Sequence, residues 1–295
     1  MNKKPFKTIE EQINILKKRN LYFGENTDDA QAFLLRNGYY SVINGYKDSF
    51  LDAEKKNELG HDFFKDVVTF SDFKLIYIFD TQLRNKTLPI LMEAESIIKN
   101  SLVYAFCFYH HEEDSYLDPS NYCLKNEYSK KADYTRNFIR LLNTLQKAHD
   151  NKGKAYIKHY LNDYGHVPLW VISNVLTFGN ISAFYDLQKQ NVKSATCRNI
   201  GVATENKRLS PKKLTEILRI LVPFRNICAH GERLYCARVG NRSAYSFKDM
   251  IEALKIIIPS ERMSNYLDSI KTLFEIIDGQ EHLKEELYDG MKCRF

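Results

Sequence analysis

Between Ser210 and Cys228 apolar residues return at spacings of three and four: Leu214, Ile217, Leu218, Leu221, Phe224 and Cys228. That spacing gathers them on one side of an α-helix, and such a stripe must be covered by other elements. Ser210 is a favoured N-cap and Pro211 a favoured first helical residue, so the start is marked as well. Pro223 predicts a kink near the far end. The same period runs from Phe73 through Ile76, Phe79, Leu83, Ile90, Leu91, Ala94, Ile97 and Ile98 to Leu102. There Ser71-Asp72 is predicted as cap and first turn, and Pro89 as a kink. Further helices are predicted over Thr8–Arg19, Asp28–Asn37, Ser129–Ala148, from Pro168, over Ile181–Gln188 after a break at Gly179, and over Phe247–Ile258 and Met263–Ile277. Gly38 to Tyr46, bracketed by glycines and rich in tyrosine, predicts a packed turn or short bent segment. The segment from Asp114 to Lys125 reads as a loop. No segment alternates with a period of two for long, so the expected fold is all-α, a helical bundle.

A chain of 295 residues can form one large domain or two smaller ones. The expected organisation is an N-terminal helical segment with the Gly/Tyr-rich turn over 1–70, a helical bundle over 71–236, and a C-terminal helical extension over 237–295. Aromatic residues reach 13%, enough for a large core and for surfaces that stack on bases. The net charge of +6 makes polyanions plausible partners. The 6 cysteines form no CxxC pair and no zinc-like spacing. The start of the chain leads into a polar helix rather than an apolar signal core, so a reducing cytoplasm is the expected location, without a membrane partner.

At the end of the Ser210 helix stand Arg225-Asn226-Ile227-Cys228-Ala229-His230. A guanidinium holds phosphate through a planar fork of donors, and an imidazole moves protons near neutral pH. Asn226 lies four residues before His230 and shares its helix face. Arg225 is rotated roughly 140° from His230, but its long side chain can reach around the helix. These groups suit phosphodiester cleavage in RNA; equally, a terminal histidine can simply cap helix carbonyls. Other candidates have two readings each. Arg84 and Asn85 either position phosphate or, for Arg84, make a surface ion pair with Asp80 four residues earlier. Tyr39 and Tyr40 either stack unpaired bases or pack the N-terminal segment. Lys207, Arg208, Lys212 and Lys213 either guide RNA or form a solvated basic face. The run His110-His111-Glu112-Glu113-Asp114 has poor chelating geometry and reads as a solvated helix end. No metal site is predicted, and Glu93 and Glu95 have no partner identifiable from the sequence.

Four segments resemble, in order, the Abi-like family of bacterial abortive-infection proteins, in the AbiD/AbiF group: Asn37-Gly38-Tyr39-Tyr40 with Ile43-Asn44-Gly45-Tyr46; Tyr77-Ile78-Phe79-Asp80 with Leu83-Arg84; Leu176-Thr177-Phe178-Gly179-Asn180; and Phe224 to His230 with Arg233-Leu234-Tyr235. The chain also resembles the wider HEPN superfamily of helical ribonucleases. The resemblance spans roughly residues 30–236. It implies a HEPN-type bundle carrying an Arg-x4–6-His site that needs no metal or cofactor and is usually assembled from two copies. It also implies a role in phage defence or as a toxin, in some members beside a small RNA partner. Gly231-Glu232 depart from the family pattern, where a further polar or aromatic residue is common. The expected reaction is cleavage through a 2′,3′-cyclic phosphate, with Arg225, Asn226 and His230 at the site. Because that route needs both a base and an acid and the motif supplies one histidine, a homodimer is expected. The alternative is a non-catalytic RNA-binding module that uses the same motif to grip phosphate.

Overall fold

Thr8 opens the first helix with a reciprocal cap. Its hydroxyl accepts the Glu11 N–H at 3.2 Å while the Glu11 carboxylate accepts the Thr8 N–H at 2.8 Å. The computed structural model describes residues 5–56, 62–205 and 209–295, in which this helix, α1, runs Ile9–Lys18 and buries Ile13 and Leu16. Next, α2 (Asp28–Asn37) ends at Gly38, whose φ of +81° is a conformation glycine takes at little cost. The Gly/Tyr-rich segment then forms a π-helical turn, Tyr40–Asn44, and a 3₁₀ turn, Lys47–Phe50, as a bent segment should.

A short antiparallel hairpin follows, β1 (Leu51–Lys56) with β2 (Asp62–Phe64), paired Leu51 to Phe64 and Lys56 to Asp62. The sequence did not predict it, because Leu51-Asp52-Ala53-Glu54-Lys55-Lys56 has no apolar alternation. It leaves the all-α class intact.

The long helix α3 spans Phe70–Tyr109, 40 residues. Its cap is Thr69, not Ser71. Thr69 donates to Asp72 from its N–H (2.8 Å) and its hydroxyl (3.0 Å), and the Asp72 N–H returns a bond at 3.3 Å. An isolated bridge to Tyr22 holds Thr69 extended, so the helix begins directly after it. Pro89 lies inside α3 without ending it. Then come α4 (Tyr134–His149), α5 (Ala155–Tyr164), α6 (Leu169–Ile172), α7 (Phe178–Asp186), α8 (Gln190–Thr204), α9 (Pro211–His230), α10 (Phe247–Ile257), α11 (Ser260–Lys271) and α12 (Glu281–Met291). Gly179 is the second residue of α7 rather than a break, because Thr177 and Asn180 form a capping box one step earlier. None of α5, α8 and α12 was predicted from the sequence. The buried side of α8 is Val192, Ala195, Thr196, Cys197, Ile200, Gly201 and Thr204, mostly small or polar residues that give little hydrophobic signal.

The chain forms two compact units. The first comprises Met1–Lys86, Gly231–Ala237 and Asp268–Phe295. Its core packs Phe50 at a tilt and Phe64 edge-on against Phe73 and sets Phe79 against Phe274, with ring centroids 4.8, 5.6 and 5.0 Å apart. The second comprises Thr87–His230 and Arg238–Leu267. Phe106, Tyr122 and Phe184 pack together there, and α9 packs on α7, α8 and α10. Among the described residues no helix is long and apolar enough to cross a membrane. The cysteines are free, with Cys123, Cys197 and Cys228 buried.

Candidate active site

The motif helix begins as its sequence directs. Ser210 accepts the Lys213 N–H on its hydroxyl at 3.3 Å and the Leu214 N–H on its carbonyl at 2.9 Å. Leu214, Ile217, Leu218, Leu221, Phe224 and Cys228 are all buried. Gly179 meets this helix at its far end: a Cβ there would lie 4.0 Å from Val222. The capped start of α7 is thereby seated one turn from the motif. Pro223 lies inside α9 without ending it.

The motif emerges where the stripe stops. Asn226 and His230 are exposed, and His230 is the last helical residue. Gly231 ends the helix with φ at +71°. Arg225 is half-buried, and its Nε–H donates to Glu95 Oε2 on α3 at 3.0 Å. The two side chains are 27% and 14% exposed, so the pair is partly shielded from water. Among the described residues both terminal amino groups of Arg225 lack a partner. Glu95 therefore fixes the plane of the guanidinium and leaves its outer fork to meet an anion. Two residues earlier on α3, Glu93 pairs with Arg262 at 2.9 Å.

Arg84 is not part of a surface ion pair. Asp80 is fully buried and Arg84 is 7% exposed. Arg84 Nη1 donates to Asp80 Oδ2 at 2.6 Å and to the Glu232 carbonyl at 3.2 Å, and Nη2 donates to Thr81 Oγ1 at 2.7 Å. Asp80 also accepts the Tyr46 hydroxyl at 2.8 Å, the Leu234 N–H at 3.0 Å and the Tyr235 N–H at 2.8 Å. Burial pushes the Asp80 carboxyl upward, and Arg84 and the two backbone N–H groups work against that push. Burial disfavours the Arg84 cation too, but Asp80, Tyr46 and Tyr77 together outweigh it and hold Arg84 above its ordinary value. Burial likewise drives the Tyr46 hydroxyl far above its usual range. Tyr46 stacks on Tyr235 with centroids 6.1 Å apart and meets Tyr77 edge-on at 6.2 Å. Three separated sequence segments thus converge on one buried carboxylate in the first unit, and they anchor the residues that follow His230 in the chain.

Of the remaining candidates, Asn85 and Lys212 are exposed, and Lys213 pairs with Glu216 at 3.0 Å. Tyr40 is 78% exposed, whereas Tyr39 is half-buried and its hydroxyl is pushed up by that burial. Lys207 and Arg208 lie outside the described residues. The His110–Asp114 run follows the end of α3 and lines a cavity of about 190 Å³ with His166 and Trp170. Among the described residues no group of three or more His, Cys, Asp or Glu is placed to hold a metal ion.

The geometry defines a helical protein that presents an Arg-x4-His motif at the end of a buried-stripe helix, with its arginine oriented by a carboxylate. A family model described as Abi-like protein matches residues 32–236, and the chain belongs to that family. No curated protein and no solved structure matches the chain significantly.

Proposed function

We propose that this Abi-like protein is a cytoplasmic, metal-independent endoribonuclease of an abortive-infection or toxin-type defence system, built on the HEPN pattern. The observation that carries the reading is the state of Arg225. Glu95 engages its Nε–H only, so among the described residues the outer donors have no protein partner, on the helix end that also exposes His230. In the reaction the 2′-oxygen of a ribose attacks the adjacent phosphorus, and the bond from phosphorus to the 5′-oxygen breaks. One His230 takes the 2′-proton, and a second His230 delivers a proton to the departing 5′-oxygen. Arg225 neutralises charge on the non-bridging oxygens, and Asn226 orients the imidazole. The products are a 2′,3′-cyclic phosphate and a 5′-hydroxyl.

The second histidine comes from a second copy of the chain, related by a two-fold axis that gathers both motifs into one cleft. Restraint of such an enzyme calls for a neutralising partner, a small RNA or a protein. The test is incubation of labelled RNA with the wild type, Arg225→Ala and His230→Ala, followed by end-group analysis. The wild type is expected to leave cyclic phosphate ends, and each variant to lose about 10²- to 10⁴-fold in rate. Binding without cleavage by the wild type would assign the motif to phosphate grip alone.

A further inference from the structure

We propose that the outward face of α4 is a docking track for the phosphate backbone of a single RNA strand. Arg136, Arg140, Asn143 and Lys147 occupy one face of this helix and are all exposed. The helix contains no Asp or Glu from Tyr134 to His149. From Arg136 to Lys147 the cations extend over roughly 16 Å along the axis. Arg136 holds Asp133 at 2.7 Å in a solvent-exposed pair, which exchanges for another anion at little cost. Among the described residues no carboxylate pairs with Arg140 or Lys147.

Space accompanies the charge. A cavity of about 540 Å³ opens over this face and is lined by Arg136, Ile139, Arg140, Asn143, Thr144 and Lys147. A second, of about 360 Å³, shares Arg140 and Thr144 with it and reaches Asn137, Asn180, Ser182 and Tyr128. The recess is walled by amides, hydroxyls and one phenol ring, with Lys130 and Asp186 adding one charge of each sign. Beside the rail of cations it matches a strand that has phosphates on one edge and sugars and bases on the other. A membrane surface fits poorly. Leu141, Leu145 and Ala148, the apolar side of α4, are already buried, and Ile139 is the large apolar group left outside. The choice of RNA over DNA rests on the ribonuclease reading above; the charge argument does not.

The test uses the full chain carrying His230→Ala, so that a labelled, unstructured single-stranded RNA stays intact during binding. Anisotropy is measured between 50 and 200 mM salt, with and without Arg136→Gln, Arg140→Gln and Lys147→Gln together. The triple variant is expected to bind more weakly, with a log affinity against log salt slope shallower by about 2. Each single substitution should lower it by about 0.7, so the result stands even where the triple variant folds poorly. Replacing both arginines by lysine should leave the slope in place. An unchanged slope, no RNA binding by the His230→Ala chain, or competition by polyglutamate as strong as by RNA would overturn the proposal. Cleavage by the chain with His230 intact is read separately: its absence would sink the ribonuclease reading while leaving the binding result to decide the track.

Discussion

Replacing Asp80 by alanine tests how the residues beyond the motif are held. The carboxylate receives Arg84, Tyr46 and the N–H groups of Leu234 and Tyr235, all at 3.0 Å or less. Without it a buried guanidinium loses its counter-charge and two backbone donors lose their acceptor. Breaking one partner from a buried pair costs about 3–5 kcal/mol, a large share of the 5–15 kcal/mol that typically holds a domain together. At about 2–4 °C per kcal/mol, the melting temperature should fall by about 6–20 °C. Thermal melts followed by circular dichroism measure this directly. Asp80→Asn keeps the volume but aims an amide NH₂ at existing donors, so it should lose most of the same stability. Asp80→Leu with Arg84→Met leaves no charge unpaired and should be milder than Asp80→Ala alone. A melting temperature for Asp80→Ala within about 2 °C of the wild type would refute the reasoning, because no buried guanidinium tolerates that loss so cheaply.

Glu95→Ala should reduce the rate of RNA cleavage at saturating substrate by about ten- to a hundredfold with a smaller change in KM, since it frees Arg225 to rotate. Glu95→Gln, which keeps an acceptor for the Nε–H, should restore most of the rate. Cleavage should persist in excess EDTA, because acid, base and charge stabiliser are all side chains; complete loss, reversed by a divalent ion, would refute the mechanism. At constant total chain, an equal mixture of wild type and His230→Ala should show about a quarter of the wild-type activity if sites are shared between copies, and about half if they are not. Burial pushes the Cys107 thiol up to about 11. At pH 8 its thiolate is about a hundredfold scarcer than that of an ordinary cysteine, and higher intrinsic nucleophilicity recovers part of this. Alkylation read by mass spectrometry should therefore be about tenfold slow.

The helices that bury large aliphatic residues at three and four spacing were legible: α1, α2, α9 and most of α3 followed directly from the period and its caps. Where burial falls on small residues, as in α8, the period fades, and where pairing replaces alternation, as in β1 and β2, it gives no signal. The Abi-like segments and the motif were legible too, but not the contacts between them. Glu95 and Asp80 carried a usable clue. Glu95 lies four residues after Leu91 and three before Ile98; Asp80 lies four after Ile76 and three before Leu83. A carboxylate on a core-facing stripe must find a cation or strong donors, so burial and pairing were foreseeable although the partner was not. Arg225 is 130 residues from Glu95, and the fold alone brings them together.

Gly290 on α12 sits so close to Tyr235 that a Cβ there would come within 2.5 Å of the ring. Nearby, Glu286 accepts the Tyr235 and Ser49 hydroxyls. The first unit is therefore sewn from the beginning, middle and end of the chain, with residues 268–295 as its closing piece. A ribosome that has made the motif has not yet made that piece. The segment beyond His230 gains its full support only after α12 has emerged, so the first unit closes only once its last helix is made. The order of the fold along the chain thus sets a delay between translating residues 231–237 and fixing them in place.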